Sequence, residues 1–260
     1  MNTQRKLFDL DGRIALVTGG SRGLGLQIAE ALGDYGARVM ISARKADELE
    51  HAQAQLKARG IDAGWFAADG AKPESVTALV DAALQRMGRV DILVNNAGTS
   101  WGAPAEDYPL EAWDKVFDLN VRGLFLLSQQ IGKRSMIPNK YGRILNIASV
   151  AGLRGNPPGP MKTVAYNAAK AAVINFTRAL AGEWGVHGIT VNALAPGFFP
   201  SNMTRGLIKQ FGEQALIGNT PLQQMGGDQD LKGAALLFAS DAGSHITGQV
   251  LAVDGGFTAV

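Results

Sequence analysis

Short apolar runs, often rich in β-branched residues, alternate with longer segments of helical periodicity along this chain. Parallel strands need crossover connections, and right-handed crossovers cover both faces of a sheet with helices. We therefore predict an α/β fold built on one doubly wound parallel sheet of seven strands. The predicted strands span residues 14–18, 38–42, 64–68, 90–95, 143–148, 189–193 and 249–253, and the predicted helices residues 24–35, 47–59, 73–87, 110–136, 163–184 and 228–240.

The length favours one domain. With 260 residues, 46% hydrophobic and 18% charged, the chain can bury one sizeable core, and no Pro- or Ser-rich linker divides it. We expect a single domain over residues 1–260, with residues 198–227 forming a substrate lid. Residues 153–161 contain three prolines and two glycines, which predicts a loop beside the functional site.

Charge and cysteine usage exclude several classes of function. The formal net charge of +2 and the scattered basic residues argue against a nucleic-acid partner. The chain has no cysteine, which excludes disulfides, thiolate nucleophiles and cysteine-based zinc sites, and we predict no metal site. Residues 1–11 lack an apolar signal region, and no stretch approaches the ~20 apolar residues of a membrane span. We expect a cytoplasmic protein with a small-molecule substrate and no membrane partner.

The first predicted strand runs into a glycine-rich turn, Thr18–Gly25, which begins a helix. Gly19, Gly23 and Gly25 lack a Cβ atom and would let a pyrophosphate approach the backbone at the helix N-terminus. The pattern predicts a dinucleotide site and a Rossmann-like sheet. Such a turn alone is equally consistent with an ordinary helix cap.

The same turn also fits a serine hydrolase. Gly19–Gly23 matches the nucleophile elbow, with Ser21 as nucleophile and His245 as the histidine in plausible chain order. This alternative gives no role to Tyr166, Lys170 or Asn96.

Tyr166 and Lys170 lie four residues apart on a predicted helix, and Ser149 follows the fifth predicted strand. A phenol, an ammonium and a hydroxyl placed together can donate a proton. The alternative is a solvent-facing helical pair, which is common. Alanines flank both residues, at 165, 168, 169, 171 and 172, and favour close packing of this helix instead.

Six motifs together resemble the classical short-chain dehydrogenase/reductase family, and the resemblance extends from Asp11 to Gly256. It implies an oxidoreductase that interconverts a ketone and a secondary alcohol by hydride transfer with a nicotinamide dinucleotide, and a homotetramer. The motifs are Thr18–Gly25, Asn95–Gly98, Asn120, Ser149, Tyr166 with Lys170, and Pro196–Gly197.

The resemblance implies four catalytic residues. Tyr166 is the general acid and base, Ser149 holds the carbonyl oxygen, and Asn120 anchors a water of the proton relay. Lys170 binds the nicotinamide ribose and lowers the pKa of the phenol. An ammonium at ~4 Å with an effective dielectric constant of ~20 would supply about 4 kcal/mol toward that lowering.

The resemblance also implies the cofactor-binding residues. Asp69 would meet the adenine amino group, and Ser201 stands where the family commonly has a threonine that binds the nicotinamide carboxamide. Asn95 and Asn96 end a buried strand and need hydrogen-bond partners. The full implied set is Gly19, Ser21, Arg22, Gly23, Leu24, Arg44, Asp69, Gly70, Asn96, Ala97, Gly98, Tyr166, Lys170, Pro196, Gly197 and Ser201.

The end of the second predicted strand bears on the choice of nicotinamide cofactor. Residues 39–45 contain no acid to chelate a ribose 2′-hydroxyl, the first acid being Asp47, whereas Arg22, Arg44 and Lys45 suit a 2′-phosphate. We therefore predict NADP(H) in preference to NAD(H). The alternative is that Arg44 and Lys45 are solvated charges at a helix start.

The substrate stays open between a 3-oxoacyl thioester and a small polyol or sugar acid. Gly182 stands where acyl-carrier-protein reductases of the family often have an arginine, and this difference argues against a thioester carried by acyl carrier protein. A noncatalytic dinucleotide-sensing protein is a further alternative. Candidate pocket residues, chosen because they follow strand ends, are Ser100, Trp101, Arg154, Phe198, Phe199 and Met203.

The family usually assembles through the predicted helices 110–136 and 163–184 and the last strand. Leu124, Leu127, Ile131, Ile174 and Leu180 fit either that interface or the core.

Overall fold

A computed structural model describes residues 7–260 except residues 157, 158, 160, 202 and 203. Seven parallel strands form one sheet in the order β3-β2-β1-β4-β5-β6-β7. The chain reverses its direction of winding between β1 and β4, and ligands of such sheets bind outside this switch point. The strands are β1 (Ile14–Thr18), β2 (Arg38–Ala43), β3 (Ala63–Ala67), β4 (Ile92–Asn95), β5 (Gly142–Ile147), β6 (Ile189–Pro196) and β7 (Val250–Val253).

Helices cover both faces of the sheet, which confirms the predicted Rossmann-like α/β fold. The predicted lid, residues 198–227, contains two short helices within its described part. The α-helices of the described residues are α1 (Gly23–Asp34), α2 (Ala46–Ala58), α3 (Pro73–Met87), α4 (Leu110–Phe117), α5 (Leu124–Ile131), α6 (Ile137–Asn139), α7 (Val164–Trp184), α8 (Arg205–Phe211), α9 (Glu213–Ile217) and α10 (Lys232–Ala239).

The core has two main layers, one on each face of the sheet. Ala15 and Val17 of β1 pack in the layer that contains side chains of α1, α2 and α10. Leu16, between them, belongs to the opposite layer with side chains of α3, α5 and α7. All three side chains are completely buried. This two-sided burial explains why the strand is a continuous apolar run without polar alternation.

The predicted helix 110–136 is not one regular α-helix. π-helical turns interrupt it at Asp118–Gly123 and Gly132–Met136, and the helical path continues to Asn139. Gly123 lies so close to the loop after β3 that a Cβ atom there would overlap the Gly70 carbonyl oxygen. The first π turn thus accompanies a close contact between this helical segment and the predicted cofactor loop.

The five apolar residues considered for an oligomer interface lie in the core. Their exposed fractions are at most 9%. The same helical segments instead expose Leu110, Phe125 and Val164, by 68%, 43% and 42%, and β7 exposes Leu251 by 39%. The buried set is Leu124, Leu127, Ile131, Ile174 and Leu180.

Among the described residues, no helix has the combination of length and apolar character needed to cross a membrane.

Candidate active site

One large cavity of about 1080 Å³ lies at the carboxyl ends of the strands, where the topology predicts a ligand. It extends from the glycine-rich turn after β1 to the N-terminal part of α7. Every residue that the sequence pointed to for catalysis or cofactor binding lines this cavity except Asn120. The structure therefore brings together residues from seven separate stretches of the chain: the turns after β1 and β2, the loops after β3 and β4, the end of β5, helix α7, and the β6 end with Ser201.

The glycine-rich turn has the geometry that a pyrophosphate requires. Gly19 and Gly23 have positive φ angles of 63° and 54°, which favour glycine. A Cβ atom at Gly25 would overlap the Gly19 carbonyl oxygen, so only glycine fits where α1 packs against the turn. The backbone thus presents the N-terminus of a 12-residue helix to the cavity, as a bound dinucleotide phosphate would need.

The side-chain nitrogens of both asparagines at the end of β4 have the hydrogen-bond partners expected of them. Asn95 Nδ2 donates to Asn146 Oδ1 at 2.8 Å and to Ser128 Oγ at 3.0 Å. Asn96 Nδ2 donates to the carbonyl oxygens of Thr18 and Gly19 at 2.9 and 3.1 Å. Asn95 therefore braces the sheet, and Asn96 fixes the glycine-rich turn beside it.

Ser149, Tyr166 and Lys170 lie together in the lining of the cavity. Ser149 caps a short turn after β5, its Oγ accepting from the Ala151 amide at 3.1 Å, and its hydroxyl also hydrogen-bonds Tyr166. Lys170 follows Tyr166 by one turn of α7 and lies on the same face. Its Nζ lies 5.6 Å from the centre of the Tyr166 ring and donates to the Ile147 carbonyl oxygen at 2.6 Å.

Burial dominates the pKa of both groups. Burial raises the pKa of Tyr166 above its ordinary value of 10, and the hydrogen bond with Ser149 offsets part of that rise. Burial lowers the pKa of Lys170 to about 8. The expected lowering of the Tyr166 pKa by Lys170 is therefore not observed for the protein groups alone, because desolvation of the phenol is the largest effect and outweighs the hydrogen bond with Ser149. At neutral pH the phenol holds its proton and is ready to donate it.

Asn120 lies in the first π turn, behind the cavity wall, and is 1% exposed. Its Oδ1 accepts from the Thr99 amide at 2.8 Å, and its Nδ2 donates to the Thr99 carbonyl at 2.9 Å. A Cβ atom at Gly98 would lie 3.3 Å from Asn120 Oδ1 and 3.7 Å from Lys170 Nζ, so both side chains lie close to Gly98 in the loop after β4. The Asn120 side chain holds the loop after β4 in place and does not itself line the cavity.

The loops after β1 and β2 place three cations at one end of the cavity. Arg22, Arg44 and Lys45 all line it, as predicted for a 2′-phosphate site. Sequence reasoning missed Glu48, whose carboxylate lies among them. Arg22 Nη1 lies 2.8 Å from both Glu48 oxygens, and Lys45 Nζ lies 3.0 Å from Oε1.

Asp69 and Ser201 line the cavity but also have local partners. Asp69 Oδ1 accepts from the Ala71 amide at 3.1 Å, which is the turn-capping role that aspartate often takes. The Ser201 hydroxyl lies 3.1 Å from Thr204 Oγ1 and accepts from the Thr204 amide at 3.2 Å. Thr204, a second hydroxyl in this wall, was not predicted.

Cations also line the part of the cavity that follows β4, β5 and β6. Arg154 donates from Nη1 to the Phe257 carbonyl oxygen at 3.1 Å, and its guanidinium lies 4.7 Å above the Phe257 ring. Lys115 and Arg205 line the same region. Glu48 and Asp69, which follow β2 and β3, are the carboxylates among the described lining residues.

Of the predicted pocket residues, Ser100, Arg154, Phe198 and Phe199 line the cavity. Trp101 does not, being 46% exposed beside Lys115. Met203 lies outside the described residues, as do residues 157, 158 and 160 of the predicted loop 153–161.

Asn167 connects the described part of this loop to the helix that carries Tyr166. Its Nδ2 donates to the Ala151 carbonyl at 2.9 Å and to Asn156 Oδ1 at 3.2 Å. Its Oδ1 accepts from Thr163 Oγ1 at 2.9 Å. The sequence analysis did not predict a role for this residue. The available signal was its spacing of four residues from Thr163 at the start of the helix, which places the two side chains on the same helix face.

The arrangement does not support the hydrolase alternative. Ser21 Oγ donates to Glu48 Oε2 at 3.3 Å, and among the described residues no histidine is hydrogen-bonded to it. His245 does not line the cavity. A nucleophilic serine needs a base within hydrogen-bond reach.

Comparison with known proteins agrees with the motifs. The family model described as short chain dehydrogenase matches residues 13–211. The chain is 41% identical to a gluconate 5-dehydrogenase of Gluconobacter oxydans, with 97% of each chain covered. It is also 41% identical to the 3-oxoacyl-[acyl-carrier-protein] reductase of rhamnolipid biosynthesis in Pseudomonas aeruginosa, covering 96% of this chain and 98% of that one.

The fold matches a solved structure over nearly its whole length. A gluconate 5-dehydrogenase of Burkholderia cenocepacia, solved in complex with NADP and tartrate, superposes with a TM-score of 0.93 at 34% identity, covering 99% of each chain.

Proposed function

The chain belongs to the short-chain dehydrogenase family, an NAD(P)-dependent oxidoreductase family, and from that premise we propose that it is an NADP(H)-dependent enzyme using Tyr166 as general acid and base. It interconverts a ketone and a secondary alcohol. The observation that carries the assignment of Tyr166 is its position beside Ser149 and Lys170 in the cavity that begins at the glycine-rich turn.

The residues that line the turn fit a dinucleotide. Gly19, Gly23 and Gly25 leave the helix N-terminus open to a phosphate, and Asn96 holds the turn in that form. We propose that Ala97, Gly98, Pro196 and Gly197 form the wall against the nicotinamide side. When bound, the nicotinamide supplies the hydride in reduction and accepts it in oxidation.

The protein groups manage the proton. In the reduction direction the hydroxyls of Ser149 and Tyr166 hold the carbonyl oxygen, and Tyr166 transfers its phenolic proton to that oxygen as the alcohol forms. The Lys170 ammonium then stabilises the phenolate that remains. In the oxidation direction the phenolate takes the proton of the substrate hydroxyl. Preorganised donors of this kind lower the barrier because they are already oriented when charge develops on the oxygen.

Three cations at the β1 and β2 ends support NADP(H) over NAD(H). Arg44 lines the cavity and forms no ion pair within the part of the chain that the structure describes. A guanidinium of this kind can bind a phosphate through two parallel hydrogen bonds. The Burkholderia cenocepacia relative was solved with NADP.

The geometry best supports a sugar acid as substrate. Arg154, Lys115 and Arg205 line the cavity and follow β5, β4 and β6, whereas the two lining carboxylates follow β2 and β3, on the other side of β1 in the sheet. This charge favours a substrate that carries a carboxylate, since a carboxylate binds these cations more strongly than a neutral hydroxyl does. A relative acts on gluconate by name, and another was solved with tartrate, a dicarboxylic acid.

A 3-oxoacyl thioester is the second candidate. Phe198, Phe199 and Ile208 give the same part of the cavity an apolar wall that suits an acyl chain. Gly182, exposed on α7, does not provide the arginine that acyl-carrier-protein reductases often have there.

We also propose a homotetramer in the cytoplasm. The exposed apolar side chains on α4, α5, the start of α7 and β7 support an assembly through those elements.

The experiment that tests this function is oxidation of NADPH and NADH with a panel of keto acids, ketones and acetoacetyl thioesters, on wild type and Tyr166→Phe. We expect Tyr166→Phe to lose turnover at least 100-fold, on the order of general acid catalysis, while NADPH affinity changes less than about twofold. Tyr35→Phe, at a tyrosine that is 48% exposed, is the matched control and should behave as wild type. Wild-type turnover in Tyr166→Phe would refute the assigned acid.

A further inference from the structure

Glu48 carries a charge that the NADP(H) prediction did not take into account. It lies in the first turn of α2, and its carboxylate contacts side chains from two other loops. Ser21 Oγ and Arg22 Nη1 come from the glycine-rich turn after β1, and Lys45 Nζ comes from the end of β2. The carboxylate therefore sits where these loops meet at the cavity edge.

The groups around Glu48 are those that bind phosphate. A hydroxyl, a guanidinium and an ammonium lie 2.8 to 3.3 Å from its oxygens, and the two Arg22 contacts share one nitrogen. The hydrogen bond from Lys45 is the largest cause that lowers the pKa of Glu48, so the group is ionised at neutral pH. Two of the three cations at this end, Arg22 and Lys45, are already paired with one carboxylate of the protein.

We propose that Glu48 is a specificity-determining residue that competes with the cofactor 2′-phosphate for Arg22 and Lys45, and so narrows the preference for NADP(H) over NAD(H). The inference builds on the proposed NADP(H) site. A 2′-phosphate must displace or share the Glu48 carboxylate, whereas a free 2′-hydroxyl leaves those ion pairs intact. Arg44 forms no ion pair in the described part of the chain, so its guanidinium is available to the 2′-phosphate or to the Glu48 carboxylate.

Glu48→Gln tests the inference because glutamine keeps the shape and removes the charge. We expect 2′,5′-ADP to bind about fivefold tighter to the variant, since exposed ion pairs of this kind are weak individually and two of them are removed. Binding of 5′-AMP should change less than about twofold. Dissociation constants measured by calorimetry, with no turnover involved, give both values, and NADPH and NADH can be compared by fluorescence.

Salt provides a second readout that a general loss of structure would not produce. The gain for 2′,5′-ADP should nearly vanish in about 1 M salt, where charges are screened beyond ~3 Å. Glu50→Gln is the matched control, because Glu50 is exposed on the same helix and its substitution removes the same charge. Glu50→Gln should leave both affinities as in wild type.

The outcomes separate this inference from the proposed NADP(H) preference. Unchanged or weaker 2′,5′-ADP binding by Glu48→Gln overturns the inference, as does an equal gain in Glu50→Gln. The wild-type ratio of 2′,5′-ADP to 5′-AMP affinity tests the NADP(H) preference by itself. A wild type without preference that gains one in Glu48→Gln would support the role of Glu48 and refute the proposed wild-type preference.

Discussion

Replacement of Lys170 by methionine should stabilise the protein while destroying its activity. Lys170 is 4% exposed, and among the described residues its one hydrogen-bond acceptor is the Ile147 carbonyl at 2.6 Å. Burial lowers its pKa from an ordinary value of 10.5 to about 8. At about 1.4 kcal/mol per pKa unit, keeping this ammonium charged in the folded protein costs about 3 kcal/mol. The Ile147 carbonyl loses its donor in the variant, at a cost of about 1 kcal/mol, so the expected net gain is about 2 kcal/mol.

The sign of this effect depends on pH. Below about pH 8 the lysine is charged in both the folded and unfolded states, and the full cost is present. Between about pH 8 and 10.5 the unfolded chain binds more protons than the folded one, so the stability of wild type rises with pH relative to the variant. Above that window the advantage of Lys170→Met should disappear.

Urea unfolding followed by fluorescence near pH 7 and again near pH 10.5 measures this difference in the free energy of unfolding. Lys57→Met, at an exposed lysine in the last turn of α2, is the control and should show no comparable gain. A variant that is less stable than wild type near neutrality, or whose difference from wild type is the same at both pH values, would refute this account of the buried ammonium.

Two further outcomes follow from the geometry of the cavity. Gly25→Ala should weaken NADPH binding at least tenfold, because the added Cβ atom would overlap the Gly19 carbonyl oxygen. Gly182→Ala, at a position with open space around it, should leave NADPH binding unchanged. Equal affinities of the two variants by calorimetry would contradict the close contact at Gly25. Arg154→Gln should raise KM for a keto-acid substrate about tenfold, as for loss of one charged hydrogen bond, with little change for an uncharged ketone; an equal effect on both substrates in steady-state kinetics would remove the carboxylate assignment.

Periodicity predicted the sheet well, because buried parallel strands and amphipathic helices leave distinct patterns. Strand β1 and helix α3 have the predicted ends, and most other ends differ by one to three residues. The predicted helix 110–136 was wrong as a regular helix, because the π turns accompany contacts with residues distant in sequence, Gly70 and Thr99 at the first turn and Trp184 at the second.

The chemical residues were predictable where motifs carried them, and the electrostatic details were not. Glu48 resembles any acidic residue in the first turn of a helix, where a carboxylate is favourable for local reasons. Its role emerges only when the loops after β1 and β2 come together. The pKa of Tyr166 was likewise out of reach, because desolvation depends on how deeply the folded chain encloses the phenol.

The tether formed by Asn167 has a consequence for how this scaffold can diversify. Its side-chain amide hydrogen-bonds Ala151 and Asn156, and Asn167 directly follows Tyr166 in the chain. The segment between Asn156 and Thr163 is therefore anchored at both ends. Its length or composition can change without shifting the Tyr166 phenol. A segment from another protein, inserted between these two residues, would change substrate specificity and leave the catalytic residues and their reaction unchanged.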